Sequence, residues 1–345
     1  MLNWLLRPFS WLYGGITDVR NRLYDKGVKQ VYIPPVRTIS VGNLTVGGTG
    51  KTPHVDYLLR RLKRSYPVAT LSRGYGRQTK GFRVATPSDT ADTIGDEPLL
   101  LYRKHGPGVV VAVGEKRAEA IPQLLALANP PSAKIHTIIL DDAFQHRPVQ
   151  PHLNILLTDY NRLFYKDHPF PAGRLRERRN GAKRADALIV TKCPDNLSTS
   201  EMVRISESLK PFVRGNIPVF FTGLRYGKPV SFAGISIDAL PNELVLVSGI
   251  ARPEPLEHYV QQHFNRVRHL RFADHHRYVA KDLETIQAAL PPDGVVLTTE
   301  KDFVKLQPLL AKIGGDVSRF YYLPIDVAFL TGEPEFLALL DKEMC

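Results

Sequence analysis

Cysteine is nearly missing from these 345 residues: Cys193 and Cys345 are the only two. Two cysteines make no disulfide framework, so a reducing compartment is the default expectation. Long apolar runs are missing as well, and none approaches the ~20 residues that a bilayer-crossing helix needs. The N-terminus has no basic start, apolar middle and small-residue cleavage site of a secretory signal, so the chain is expected to work inside the cell. There is no internal repeat and no low-complexity tract. Acidic residues are in short supply: 34 Asp and Glu stand against 46 Lys and Arg, a formal net charge of +12. That imbalance calls for an anionic partner: a nucleotide, a nucleic acid, a phosphorylated substrate or an acidic membrane surface. The aromatic-interleaved basic platform of single-strand binders does not occur, so no nucleic-acid partner is expected.

What remains is an ordinary globular composition, 43% hydrophobic and 23% charged, in a chain long enough for two cores. Residues 1–36 stand apart. Phe9, Leu12, Tyr13, Ile16, Val19 and Leu23 recur at helical spacing, with Trp4, Leu5, Leu6 and Trp11 adding bulk and Arg7, Arg20, Arg22, Lys26 and Lys29 the charge. Such a helix suits a membrane interface; it equally suits packing on the domain with its aromatics in the core. From residue 37 strands and helices alternate. Strands are expected at 37–42, 67–72, 108–113, 136–141, 153–158, 186–191 and 217–222, and helices at 52–64, 96–104, 115–128 and 198–210. The fold class is therefore α/β, a P-loop-type, mostly parallel sheet flanked by helices. After a turn-rich connector the pattern resumes, from a strand at 243–248 to one at 319–324. The expected division is 1–36 an amphipathic membrane-associating region, 37–222 a P-loop domain, 223–241 a linker and 242–345 a smaller α/β domain, with the site between the two domains.

The stretch Ser40-Val-Gly-Asn-Leu-Thr-Val-Gly-Gly-Thr-Gly-Lys-Thr-Pro53 carries the clearest chemistry. It runs from a buried strand through Gly47, Gly48, Thr49 and Gly50 to a helix that opens with Lys51 and Thr52. Glycines let main-chain N–H groups converge on a phosphate, and the helix N-terminus adds partial positive charge. Lys51 can reach the β/γ-phosphates and Thr52 can offer its hydroxyl to Mg²⁺. Thr45 stands where the usual pattern has its first Gly, and the pair at 47–48 is expected to supply the flexibility. Downstream, Thr137-Ile-Ile-Leu-Asp-Asp142 is an apolar strand ending in two carboxylates, the kind that holds the nucleotide's metal. Gln145 and His146 follow within reach of the same phosphates.

Other residues are less decided by sequence. Asp96, in Gly95-Asp-Glu-Pro98, starts a helix and reads first as a cap; a kinase also needs a carboxylate to orient or deprotonate its acceptor. Asp274 beside His275 could tune an imidazole for proton transfer. His258, His263 and His269 match no common metal-ligand spacing. The run 171–184 carries six basic residues and one acid, Glu177, which could orient one of the arginines. Tyr75, in Ser72-Arg-Gly-Tyr-Gly76, lies at a strand end where it could stack on a sugar or cover the core.

Together these residues resemble the tetraacyldisaccharide 4'-kinase family of lipid A biosynthesis. The matching stretches are Val41–Pro53, Ser72–Gly76, Gly95–Pro98, Leu140–His146, Pro171–Glu177, Phe272–His275 and Thr299–Asp302, in the family's order. Ala143 stands where the family often has Gly. The resemblance implies transfer of the ATP γ-phosphate to the 4'-hydroxyl of an acylated glucosamine disaccharide 1-phosphate. It implies a peripheral protein on the cytoplasmic face of a Gram-negative inner membrane, expected as a monomer. It also implies Asp96 as the base with His275 tuning it, Lys51 and Thr52 on phosphate and Mg²⁺, and Asp141 and Asp142 at the metal; separately, domain closure that brings His275 toward Asp96 and excludes water is expected to serve the transfer. Gln145 and His146 would line the nucleotide, and Tyr75, Arg117, Arg176 and Glu177 the substrate. A P-loop switch or partition-type ATPase is the alternative, though Val46 stands where that class has its signature Lys.

Overall fold

The structure, a computed structural model, describes residues 6–127, 134–238, 240–241, 243–264 and 266–344. Helix α1 (Arg7–Asp25) comes first, followed by β1 (Arg37–Asn43) and α2 (Lys51–Leu62). Next come β2 (Val68–Ser72), β3 (Arg83–Val84), α3 (Ala91–Ile94), α4 (Asp96–His105), β4 (Val109–Val113), α5 (Arg117–Leu125) and β5 (Thr137–Asp141). The larger run closes with β6 (Leu153–Asp159), β7 (Ala187–Thr191), α6 (Thr199–Leu209) and β8 (Val219–Tyr226). The second run holds β9 (Val230–Ser231), β10 (Glu243–Ser248), α7 (Glu254–His263), β11 (Arg266–Arg271), α8 (Ala280–Ala289) and β12 (Val295–Thr299). It ends with α9 (Glu300–Lys312), β13 (Phe320–Leu323), β14 (Ile325–Thr331) and α10 (Glu333–Met344).

Nine strands form the larger sheet, in the order β14-β8-β7-β6-β1-β5-β2-β4-β3. It is parallel except at its two edges, where β14 and β3 run antiparallel to their neighbours. Its central strands are buried on both faces, as helix-covered parallel strands must be. Ile39, Val41 and Ile139 pack with Val55, Leu58, Leu59 and Leu62 of α2; Ile138 and Leu140 face the other way, toward Ile121 and Leu124 of α5. Because β1 lies between β5 and β6, the loop leaving it emerges at the middle of the sheet's carboxyl edge, where ligands of open α/β sheets bind.

The smaller sheet has five strands, β11-β10-β12-β13-β9. Two boundaries differ from the sequence expectation. The 223–241 linker contains the end of β8 and all of β9, which pairs with β13. The last segment of 242–345 does not belong to the smaller unit: β14 returns to pair with β8, and Phe336, Leu340 and Met344 of α10 join the core beneath α2. The cause is the i, i+4, i+8 apolar stripe of α10, which finds its partner on α2, with the Tyr57 hydroxyl donating to Glu333 at 2.6 Å.

The two units are joined through α4 and α9. Leu99, Leu100 and Val304 share a buried cluster, and Lys104 Nζ sits 2.9 Å from both Asp56 of α2 and Glu300 of α9. This brace fixes the first turn of α9 against α4, and with it one wall of the site.

Candidate active site

The phosphate loop is shaped by two left-handed glycines, Gly47 at φ 113° and Gly50 at φ 83°, conformations that side chains with a Cβ avoid. Thr45 needs no such freedom. It is bridged to Leu175, with Val46 N–H donating to Arg174 O at 2.8 Å and Arg176 N–H to Leu44 O at 2.7 Å, so the first half of the loop is extended. Asn43 Nδ2 donates to Thr49 Oγ1 at 2.7 Å, and Thr191 Oγ1 to Thr49 O at 2.9 Å. Gly42 is the other obligatory glycine, since a Cβ there would lie 2.7 Å from that of Phe144. That close approach brings the Asp141–Asp142 turn against the loop.

The two carboxylates differ in environment, because β5 ends at Asp141 and the chain turns at Asp142. Asp141 is enclosed; its Oδ1 has no hydrogen-bond partner, and burial, with Glu97 nearby, pushes its pKa up to about 7. Asp142 adopts a left-handed backbone, φ 47°, which turns its carboxylate toward Lys51 Nζ at 3.7 Å and Arg176 Nη1 at 2.7 Å. Burial pushes its pKa up too, but Lys51 and Arg176 outweigh it and hold the group below its ordinary value. An orphaned buried carboxylate oxygen beside a second, ionised one suits a hard divalent cation, which needs only one or two protein carboxylates beside phosphates and water. Asp141 and Asp142 thus fit Mg²⁺, and Thr52 stands beside Lys51 in the first turn of α2. The histidines weighed as a metal set each bond another partner: His258 pairs with Gln262, His263 with Tyr259 O, and His269 with Ser248.

Across from these, Asp96 is the first residue of α4, with Gly95 in the cap position and Asp96 Oδ1 accepting from Glu97 N–H at 3.0 Å. Its other oxygen lies 2.9 Å from Nδ1 of His275, so the pair is already joined across the two units. Burial pushes the Asp96 pKa up, but the His275 contact and Lys301 outweigh it and hold the carboxyl low. The same contact raises the pKa of His275, while burial and Lys301 pull against it. Tyr75 is 69% exposed, with its ring centre 5.1 Å from that of His275. Asp142, Lys192 and His275 are the three non-glycine residues with left-handed backbone among the described residues. All three lie at this edge, and such strain collects at functional sites.

Two expected substrate contacts are buried. Arg117 is 3% exposed and donates to the carbonyls of Asp141 at 2.8 Å and Asp142 at 3.3 Å; it braces the turn from beneath. Glu177 is equally buried, accepting from Arg184 at 2.6 Å, Gln145 at 3.0 Å and Asn21 at 2.7 Å. It does orient an arginine, as its company suggested, and it also ties α1 to the turn after β5. Gln145 donates to Asn43 O at 2.8 Å. Burial and the charges of Arg117, Arg20 and Arg73 drop the His146 pKa to about 4. Two lysines were missed. Lys192, at the end of β7, bonds Gly48 O and lies 3.1 Å from Asp159; its place at a strand's carboxyl end was the available signal. Lys301 lies in the Thr299–Asp302 stretch, which carried no assigned role.

Helix α1 is turned inside out. Tyr13 donates to Arg176 O at 3.0 Å and Arg20 to Gln145 O at 2.9 Å, while Phe9, Trp11, Leu12 and Ile16 are each at least 62% exposed. Trp4 and Leu5, read as part of the same apolar bulk, lie outside the described residues. Among the described residues no helix is long and apolar enough to cross a membrane. A cavity of about 460 Å³ lined by Arg37, His136 and His152 lies at the amino ends of β1 and β5, the opposite edge from the phosphate loop.

A glycine-shaped loop with its lysine, a carboxylate-ended neighbouring strand and a carboxylate–imidazole pair define a P-loop-type phosphotransferase. The sequence profile of the family described as Tetraacyldisaccharide-1-P 4'-kinase matches residues 2–345, and the chain belongs to that family. A relative named Tetraacyldisaccharide 4'-kinase from Cytophaga hutchinsonii is 43% identical over 99% of this chain and 95% of its own. One of the same name from Flavobacterium psychrophilum is 42% identical over 96% and 94%. The crystal structure of "apo" form LpxK from Aquifex aeolicus in complex with ATP aligns at a TM-score of 0.77, with 30% identity and full coverage of both chains.

Proposed function

We propose that this chain transfers the γ-phosphoryl group of ATP to the 4'-hydroxyl of a tetraacyldisaccharide 1-phosphate in lipid A biosynthesis, with Asp96 as the base. Family membership makes the chain a kinase that uses ATP. The residue roles rest on one observation, the 2.9 Å approach of Asp96 and His275 at the edge that holds Lys51. The acceptor oxygen attacks the γ-phosphorus, the bond to the β,γ-bridging oxygen breaks, ADP leaves, and the hydroxyl proton passes to Asp96. The loop amides, the α2 N-terminus and Lys51 grip the phosphates, with Gln145 and His146 beside them. Arg176 and Tyr75 face the acceptor. Bound Mg²⁺ would neutralise phosphate charge, held by Thr52, Asp141 and Asp142. Titrating Mg²⁺ against the rate of labelled phosphate transfer tests this. Asp141→Asn should raise the half-saturating concentration at least about tenfold; an unchanged titration in both Asp141→Asn and Asp142→Asn removes these residues from the metal.

The acceptor's acyl chains hold it in the bilayer, since each buried CH₂ is worth about 0.8 kcal/mol. The enzyme must come to the surface, here the cytoplasmic face of a Gram-negative inner membrane, where it works as a monomer. The outward apolar face of α1 with its flanking basic residues supplies the two signals that stable surface binding takes. Replacing Trp11, Leu12 and Ile16 together by Ser should weaken binding to anionic phospholipid vesicles at least about a hundredfold and leave ATP affinity alone. Unchanged vesicle flotation would rule out this docking face.

A further inference from the structure

We propose that Lys301 is a positioning residue that holds His275 in the neutral tautomer carrying its proton on Nδ1, aimed at Asp96. The inference rests on the reading of Asp96 as the base. His275 Nδ1 lies 2.9 Å from an Asp96 oxygen, and its Nε2 lies 3.2 Å from Lys301 Nζ. An ionised carboxylate only accepts hydrogen bonds and an ammonium only donates them. One protonation state satisfies both contacts: a proton on Nδ1 and a lone pair on Nε2. The imidazolium would set an N–H against the ammonium; the other tautomer would fail at both ends.

Lys301 is held to this task. It sits in the first turn of α9, where Thr299 Oγ1 accepts from Asp302 N–H at 3.0 Å. Asp302, fully buried, in turn accepts from Gly249 N–H at 2.8 Å. The Lys301 ammonium also lies 3.3 Å from Asp274, 3.6 Å from Asp96 and 3.8 Å from Glu97. The charged groups facing the ring are thus Asp96 from α4, Lys301 from α9 and Asp274 from its own loop, with Glu97 reaching the ammonium behind them and Tyr75 against the ring's face. The acids favour a cationic ring and Lys301 opposes it. That opposition matters chemically, because a carboxylate already paired with imidazolium is a weaker base for the acceptor hydroxyl.

Without Lys301 the ring takes a proton more readily, so activity should fail earlier as pH drops. In Lys301→Met the acid limb of the kcat profile should move up by about one pH unit, a roughly tenfold loss on that limb, with the KM for ATP unchanged. A ¹⁵N-histidine spectrum of the full chain, assigned by the peak lost in His275→Gln, reads the tautomer directly. Wild type should show Nδ1–H and a bare Nε2, and Lys301→Met should lose that preference. Wild type with Nε2–H overturns the proposal whether or not the variant folds. A Lys301→Met profile lowered evenly at every pH, with the tautomer kept, overturns it as well. If Asp96→Asn keeps full activity, the base assignment falls first; if that variant is inactive and the Lys301 signatures are missing, only the present proposal falls.

Discussion

Asp96→Asn should lower phosphate transfer by about 10²–10⁴-fold, the range a positioned general base contributes, while ATP affinity stays near that of the wild type. The substitution removes the proton acceptor while keeping the side chain's shape, at the cost of one accepting oxygen for His275. Asparagine keeps the shape and can still accept from Glu97 N–H, so the start of α4 survives. It leaves Lys301 with Glu97 and Asp274 as partners, so no buried cation is stranded. It cannot take a proton from a hydroxyl. The Asp96 pKa is held low by His275 and Lys301 against the burial that pushes it up, so the carboxylate is ionised at neutral pH and ready to accept. Its loss therefore appears in kcat and not in nucleotide binding. The measurement is single-turnover transfer from labelled ATP to the acylated disaccharide 1-phosphate, beside ATP titration calorimetry. A rate within about threefold of wild type would return Asp96 to a helix-start role, whose loss is worth only ~1 kcal/mol of stability.

How much of this was legible beforehand depended on how local each determinant is. The phosphate loop could be read because strand, glycines, lysine and helix are contiguous, and the structure places Gly47, Gly50 and Lys51 as that pattern requires. Asp141 and Asp142 were equally plain as carboxylates ending an apolar strand. The burial of Arg117 was not legible, because nothing local says whether an arginine near a strand end points out or under; here it donates to the carbonyls of Asp141 and Asp142. Glu177 was caught in the same way by Gln145 and Asn21, residues 32 and 156 positions away. The return of β14 to the larger sheet is a fact about pairing over a long separation, to which strand propensity is blind. Helix α1 shows the limit in the other direction. Its amphipathic pattern fits a core-facing and an outward-facing helix alike, and only the polar contacts of Tyr13, Arg20 and Asn21 reveal which face is docked.

Lys51→Ala should cost about 10²–10³-fold in transfer rate, the usual loss when one donor to developing transition-state charge is removed, and should weaken ATP binding too. The distinction from Asp96→Asn lies in that second effect. Lys51 opens α2 directly behind the left-handed Gly50, so its ammonium adds to the helix N-terminus and loop amides that face the phosphates. Before nucleotide arrives it lies 3.7 Å from Asp142 and helps hold that carboxylate's pKa down. Removing it leaves Arg176, at 2.7 Å, as the remaining ion-pair partner, so the Asp142 pKa should rise. The sign follows: protonation of Asp142 becomes easier, so the residual activity of Lys51→Ala should decline at a higher pH than wild type as the solution is acidified. Lys51→Arg keeps the charge but replaces a compact ammonium by a planar fork. It should restore the acid limb and recover only part of the rate. The checks are ATP affinity, kcat and the acid limb measured on the three proteins side by side. Wild-type ATP affinity and rate in Lys51→Ala would mean that the loop does not grip the triphosphate through this lysine, and the assignment of every phosphate contact at this edge would have to be redrawn around Arg176.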